Sequence, residues 1–175
     1  MKPNFSELYN VFIHQGEACF SSNAIVVSTV LGSCLSITMF SKWKRYAGIS
    51  HCQLPFCKDC NYDCDNCVDP FKYVKCTIVL MLKKFEALNI PRNEIEVKIF
   101  GGADVLKTSS HRKTVSTVGS QNIKMAIETL AEFNMSANVM DVGGTVGRKI
   151  IFATCTGEIF LNRLKENGKN KSFNS

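Results

Sequence analysis

The chain has 175 residues, of which 45% are hydrophobic, enough for one well-buried core but not for two. No apolar run approaches the roughly 18 residues of a membrane-spanning helix, and residues 1–7 lack the pattern of an export signal. The formal charge of +6 accompanies no basic helix with interleaved aromatics and no zinc-finger or RNA-binding pattern. We therefore expect a cytoplasmic, single-domain protein with no membrane insertion and no nucleic-acid partner.

The spacing of apolar residues predicts two helices and six strands. Helical periodicity runs through residues 71–88 and 123–133. Pro91 follows the first helix, and Ser120 is placed to cap the second. Strand patterns cover residues 24–31, 35–40, 94–100, 137–142, 149–154 and 158–161. Because the helices do not alternate regularly with the strands, we predict an α+β fold, a single-domain layered sandwich of β-sheet with two or three amphipathic helices.

One cysteine and one histidine stand out as candidates for chemistry. Cys34 follows a turn of Gly32 and Ser33, where backbone N–H groups are free to face a substrate carbonyl. His51 ends another strand-like run, so the two side chains can meet at the ends of adjacent strands. An imidazole within reach of a thiol makes it a nucleophile. By residue type alone the signal is weak, because free cysteine is among the most buried residue types and a lone histidine at a strand end is often structural.

Six short motifs follow one another along the chain. They are residues 29–34 (TVLGSC), 48–55 (GISHCQLP), 98–103 (KIFGGA), 119–122 (GSQN), 141–152 (DVGGTVGRKIIF) and 156–158 (TGE). In this order they resemble the CheD family of chemoreceptor glutamine deamidases. The resemblance predicts a CheD-like deamidase domain over residues 1–164. The polar tail at 165–175 lacks apolar residues to offset the entropy of ordering, so we expect it to fray.

The resemblance implies hydrolysis of glutamine side-chain amides on chemotaxis receptors to glutamate, with release of ammonia. Cys34 would be the nucleophile, forming a thioester, and His51 the acid and base. A third residue usually orients the histidine, and the family places a threonine hydroxyl for this six residues before the cysteine. Here that position is Ser28, which we expect to be the third catalytic residue, with Thr29 beside it. Neighbouring strand residues point to opposite faces, so Thr29 can replace Ser28 only if the strand register shifts.

The resemblance also implies which partners to expect. They are the cytoplasmic domains of methyl-accepting chemotaxis receptors, and some family members also hydrolyse receptor methylesters. The alternative is a non-catalytic role as binding partner and regulator of a CheC-type phosphatase. We expect a monomer when the protein is free, and chemistry that requires no cofactor.

Three further residues are candidates for contact with a substrate or partner. Thr29 and Ser33 flank the predicted nucleophile. Phe100 precedes Gly101 and Gly102, and an exposed aromatic ring beside flexible glycines suits a partner anchor. Phe100 fits a core position at a strand end equally well.

The nine cysteines form no obvious disulfide framework, because their number is odd and we expect a reducing compartment. Four of them form two CxxC pairs, Cys57, Cys60, Cys64 and Cys67. A structural zinc site is one interpretation, although the three residues between the pairs make a cramped connection. Reversible thiol–disulfide chemistry and a cysteine-rich loop without dedicated function are the alternatives.

Overall fold

The computed structural model describes residues 7–60, 63–104 and 116–164, and the predicted tail lies outside these ranges. The described residues form two helices, α1 (Val74–Glu86) and α2 (Val118–Glu132). The strands are β1 (Tyr9–Phe12), β2 (Ala18–Ser21), β3 (Ile25–Leu31), β4 (Leu35–Ser41), β5 (Tyr46–Ser50), β6 (Glu96–Gly101), β7 (Val139–Val142), β8 (Arg148–Ala153) and β9 (Glu158–Arg163). Neither helix combines the length and the apolar character needed to cross a membrane.

The strands pair into two sheets. The first has the order β1-β3-β8-β9 and the second the order β2-β5-β4-β6-β7. Pairing is antiparallel except between β1 and β3 and between β6 and β7. Every residue of β4 is buried, because the second sheet is covered on both faces. The predicted α+β layered sandwich with two helices is confirmed.

Two hydrophobic cores hold the layers together. One joins the second sheet to the helices and includes Ile37 of β4, Ile99 of β6 and Phe85 of α1. The other lies between the two sheets and includes Val27 of β3 and Phe152 of β8. Alternate residues of a strand point to opposite faces, so the second sheet contributes to both cores. The order of layers is therefore first sheet, second sheet, helices.

The helix boundaries differ in detail from the prediction. A 3₁₀ turn at residues 70–72 precedes α1, so only the later part of the periodic segment is α-helical. Thr117 caps α2, its side-chain oxygen accepting a hydrogen bond from the backbone N–H of Ser120 at 3.2 Å. The prediction that Ser120 is the cap is wrong, because the helix starts earlier than its apolar stripe.

A glycine at the end of β6 allows the closest approach to the turn that precedes β4. Gly101 has a φ of +112°, a conformation that side chains disfavour, and a Cβ there would collide with the carbonyl group of Cys34. Gly144 also has a positive φ, +75°, but nothing lies within 4 Å of the space its Cβ would occupy. A comparison of substitutions at the two glycines therefore separates the cost of a positive φ from the cost of a steric collision.

We expect Gly101→Ala to destabilise the fold more than Gly144→Ala. Gly144→Ala should cost about 1–2 kcal/mol from the positive φ alone. Gly101→Ala adds a collision with backbone, worth about 1–3 kcal/mol more by analogy with overpacking. Urea denaturation of both variants measures the difference, and equal losses of stability would show that the approach to Cys34 is not tight.

Candidate functional site

The turn that carries Cys34 is hydrogen-bonded to the segment that follows β6. The backbone N–H of Gly102 donates to the carbonyl of Cys34, and that of Ala103 donates to the carbonyl of Gly32, both at 2.8 Å. Within the described part of the chain, the N–H groups of Ser33 and Cys34 donate no hydrogen bond to another residue. Two backbone donors beside the thiol are therefore available to an oxyanion.

The register of the second sheet brings Cys34 and His51 to one face. Leu35 and Cys52 exchange two backbone hydrogen bonds, of 2.9 and 2.7 Å, in an antiparallel bridge that continues the pairing of β4 with β5. This register puts Ser36 opposite His51 and Cys34 diagonal to it, on the face that packs against the first sheet. Cys34 is 8% exposed and His51 3%. The two predicted residues therefore lie on the same face of the second sheet, at the end where the Leu35–Cys52 bridge extends the pairing of β4 with β5.

A hydrogen bond between the two sheets determines which ring nitrogen of His51 carries the proton. Thr29 Oγ1 lies 2.7 Å from His51 Nδ1 and 2.8 Å from the carbonyl oxygen of Ile13. A threonine hydroxyl has one proton, which it donates to Ile13, so its oxygen accepts from the Nδ1–H of His51. The other ring nitrogen, Nε2, then carries a lone pair. Nε2 is buried and has no partner among the described residues, as expected of a base awaiting a proton.

The hydroxyl that contacts His51 in the structure is that of Thr29, whereas the spacing in the family predicts Ser28 in this position. Along β3, Val27, Thr29 and Leu31 face the second sheet, whereas Ser28 lies on the other face. Thr29 is completely buried, so its hydroxyl faces His51 and the carbonyl of Ile13 rather than solvent. The position of Ser28 came from the spacing in the family, and the hydroxyl that faces His51 lies one residue later along β3.

Burial keeps both members of the pair neutral. It lowers the pKa of His51 to about 4, an effect that the nearby carbonyl of Ile13 offsets only in part. Burial also raises the pKa of the Cys34 thiol, against the opposing effect of its own backbone N–H. At neutral pH the resting site therefore contains a thiol and a neutral imidazole, not a thiolate and an imidazolium.

Asn122 of α2 links the two halves of the site, a role that the sequence analysis missed. Its Nδ2 donates to the carbonyls of Ser33, at 3.2 Å, and Gln53, at 3.0 Å. It is completely buried, although asparagine is normally exposed. The signal was present in the sequence, because Asn122 is a polar residue in line with the apolar stripe through Ala126 and Leu130.

Arg148 is a second residue whose role was missed. Its guanidinium is buried, donates to the carbonyls of Gly101, Asp141 and Gly143, and pairs with the Asp141 carboxylate at 2.8 Å. Burial of an arginine requires a partner for its charge, which the Asp141 carboxylate provides, although Nε has no partner among the described residues. The contact with Gly101 ties the ends of β6 and β7 together directly beneath Cys34.

The structure assigns different surroundings to the remaining predicted contacts. Phe100 is 4% exposed and packs in the core between the sheets, so the expectation of an exposed partner anchor is wrong and the core alternative is right. Ser33 is half-buried, and its carbonyl is bonded to Asn122.

A surface pocket of about 380 Å³ opens beside His51. It is lined by Phe12, Ile13, His14, Gln15, Val30, His51 and Gln53. A larger pocket, of about 510 Å³, lies near Phe40 at the opposite end of β4 and has no connection to this chemistry. The smaller pocket is thus the one that leads to the imidazole.

The cysteine-rich segment follows His51 closely in sequence, and several of its thiols lie close together in space. The thiols of Cys57, Cys60 and Cys67 lie within 4.8 Å of one another, an arrangement compatible with a metal site. Cys64, the other predicted ligand, is not part of that group. Cys76 of α1 packs in the same cluster and was not considered in the sequence analysis.

The lowered pKa of His51 predicts how stability depends on pH. The folded chain binds fewer protons at this residue than the unfolded chain does between pH about 6.5 and 4, so the free energy of unfolding falls as pH falls through that window. His51→Gln should remove this contribution, which is at most about 2–3 kcal/mol between pH 7 and 4.5. Urea denaturation at both pH values measures it.

His14→Gln, which changes an exposed histidine lining the same pocket, controls for loss of an imidazole. If His51→Gln leaves the pH dependence of stability unaltered, His51 is not buried in its neutral form.

Comparison with known proteins agrees with the motif order. A family model described as CheD chemotactic sensory transduction matches residues 61–163. A protein of Maridesulfovibrio salexigens named "Probable chemoreceptor glutamine deamidase CheD" is 38% identical over 170 residues, covering 95% of this chain and 98% of that protein. A Geobacter sulfurreducens protein named "Probable chemoreceptor glutamine deamidase CheD 2" is 40% identical over 164 residues, covering 94% and 96%. The chain therefore belongs to the CheD family.

Proposed function

We propose that this protein is a cytoplasmic glutamine deamidase that hydrolyses side-chain amides of chemotaxis receptors, with Cys34 as nucleophile and His51 as acid and base. The names of its relatives support the activity and the receptor substrate. The observation that carries the residue assignment is the buried, unpartnered Nε2 of His51 on the sheet face that also bears Cys34. The family model begins after both residues, so their roles rest on this geometry.

The first half-reaction forms a thioester. The Cys34 sulfur attacks the Cδ carbon of the glutamine side chain while its proton passes to His51 Nε2. Because the resting pair is neutral, proton transfer accompanies attack rather than preceding it. The N–H groups of Ser33 and Cys34 stabilise the oxyanion of the tetrahedral intermediate. His51 then gives its proton to the departing nitrogen, and ammonia leaves.

The second half-reaction restores the enzyme. Neutral His51 takes a proton from water as the water oxygen attacks the thioester carbon. The intermediate collapses, the C–S bond breaks, and the proton on His51 returns to the sulfur. The product is a glutamate side chain, and no metal or other cofactor enters either step.

Thr29 serves both half-reactions without touching substrate. Its hydroxyl accepts from Nδ1–H, which keeps the lone pair on Nε2, and it stabilises the imidazolium formed in each tetrahedral intermediate. The bond to the Ile13 carbonyl fixes the direction of the hydroxyl proton. The arrangement corresponds to a nucleophile, a base and an orienting group.

Ammonia release from a purified cytoplasmic receptor fragment tests the catalytic assignment. We expect Cys34→Ala to abolish release, and His51→Ala to reduce kcat by about 100-fold or more, the contribution of general acid–base catalysis. Cys155→Ala, which removes a half-buried thiol at the far end of β8, is the matched control. Undiminished release by Cys34→Ala would overturn the assignment. A purely binding role with a CheC-type phosphatase would be unaffected by either substitution.

Variants of β3 test the positioning role of Thr29. Thr29→Val keeps the shape but removes both hydrogen bonds, so we expect kcat to fall about 10- to 100-fold with little change in KM. Thr29→Ser should retain most activity, since it keeps the hydroxyl. Ser28→Ala should be close to wild type, because Ser28 lies on the other face of the strand. Activity is measured across pH 5–9, since a loosened His51 also changes the pH profile. A larger loss in Ser28→Ala than in Thr29→Val would restore Ser28 as the orienting residue.

A further inference from the structure

Five thiols gather between the cysteine-rich loop and α1. Cys57, Cys64, Cys67 and Cys76 form a buried cluster, with half-buried Cys60 packed against it. Four of these cysteines come from residues 57–67, and the fifth comes from the first turn of α1. The proposed deamidation uses none of them. A cluster of this density brings together soft donors of the kind that bind zinc.

The arrangement of the thiols favours a metal over a disulfide. Three sulfur atoms, from Cys57, Cys60 and Cys67, lie within 4.8 Å of one another and so surround a common point. A disulfide needs only two, and it would leave the third thiol buried beside it. A structural zinc site requires a fourth sulfur to complete a tetrahedron.

Cys76 is better placed than Cys64 to be that fourth ligand. The Cys76 thiol contacts the thiol of Cys67, a member of the group of three. Neither Cys64 nor Cys76 belongs to the group of three thiols that lie within 4.8 Å of one another, and Cys76 contacts Cys64 as well as Cys67. Cys76 is also 1% exposed and belongs to a regular helix, which holds it in place.

With Cys76 as the fourth ligand, the sequence also provides longer connections between the ligands. Two CxxC pairs separated by three residues leave little chain to wrap around one ion. With Cys57, Cys60, Cys67 and Cys76, six residues separate the second and third ligands and eight separate the third and fourth. The last ligand then comes from α1, which leaves enough chain for the four sulfur atoms to reach the corners of a tetrahedron.

We propose that Cys57, Cys60, Cys67 and Cys76 form a tetrathiolate site for zinc that pins the cysteine-rich loop to α1. The loop leaves the catalytic region at Leu54 and returns at Tyr73, where the two residues form a parallel bridge. An ion pair between Asp65 and Lys83 attaches the same loop to α1. The metal therefore stabilises a wall of the groove formed by Leu54, Pro55, Phe56 and Gln121, a few residues beyond His51.

Metal analysis of the full-length protein, purified under reducing conditions, tests the site. We expect about one zinc per chain, released by a thiol-blocking reagent. Replacement with Co²⁺ should give the intense absorption of four thiolate ligands. Cys76→Ser should weaken zinc affinity at least about tenfold, the lower end of the effect of disturbing even an indirect ligand contact. Cys64→Ser should retain the affinity, and Cys19→Ser, which removes a thiol outside the cluster, is the control.

Three results would overturn the proposal. The first is wild-type protein that binds neither zinc nor Co²⁺. The second is loss of metal in Cys64→Ser with retention in Cys76→Ser, which would make Cys64 the fourth ligand. The third is a disulfide among these cysteines that persists when the protein is purified with a reducing agent, as detected by mass spectrometry. Because metal content is measured directly, failure here leaves the ammonia-release assay, and hence the proposed deamidation, unaffected.

Discussion

The hydrogen bond between Thr29 and His51 is the contact on which the site depends. It joins β3 of the first sheet to the residue that follows β5 of the second, so it exists only when the two sheets are packed in register. The same bond selects the tautomer of the imidazole. The packing of the two sheets therefore determines which nitrogen of His51 carries the proton. A shift of one sheet against the other would break this hydrogen bond and remove the preference for that tautomer.

Residues from several of the family motifs hold the turn that carries Cys34. The glycines of residues 101–102 let β6 come against the Cys34 carbonyl, Arg148 fastens the ends of β6 and β7, and Asn122 bonds to the turn from the helix side. None of these residues performs chemistry in the proposed mechanism. They hold the turn that carries the thiol, and a misplacement of about 1 Å can cost about 100-fold in rate.

Much of the fold could be predicted because its strands and helices have strong apolar patterns. β1 and β2 escaped prediction, since both have four residues without a clear alternation of buried and exposed positions. β5 was recognised only as the strand-like run that ends at His51. In the site, Cys34 and His51 were found from their motifs. Thr29 was not chosen over Ser28, because a register error of one residue reverses the face of every side chain on a strand. Asn122 interrupts the apolar stripe of α2, which marks it as a buried polar residue, but its partners are backbone carbonyls that the residue types do not identify. Arg148 was missed because three of its partners are also backbone carbonyls, and pairing with Asp141 depends on the fold.

The bridge between Leu54 and Tyr73 has a consequence for how this family can vary. The chain leaves the catalytic framework and re-enters it at neighbouring positions, with Val74 N–H bonded to the Leu54 carbonyl at 2.8 Å. Closing a longer excursion at such a point costs only about 0.6 kcal/mol for each doubling of length. The intervening segment can therefore change in length and composition while His51 and α1 keep their places. The cysteines lie where the protein can acquire a new property with little effect on the deamidase framework.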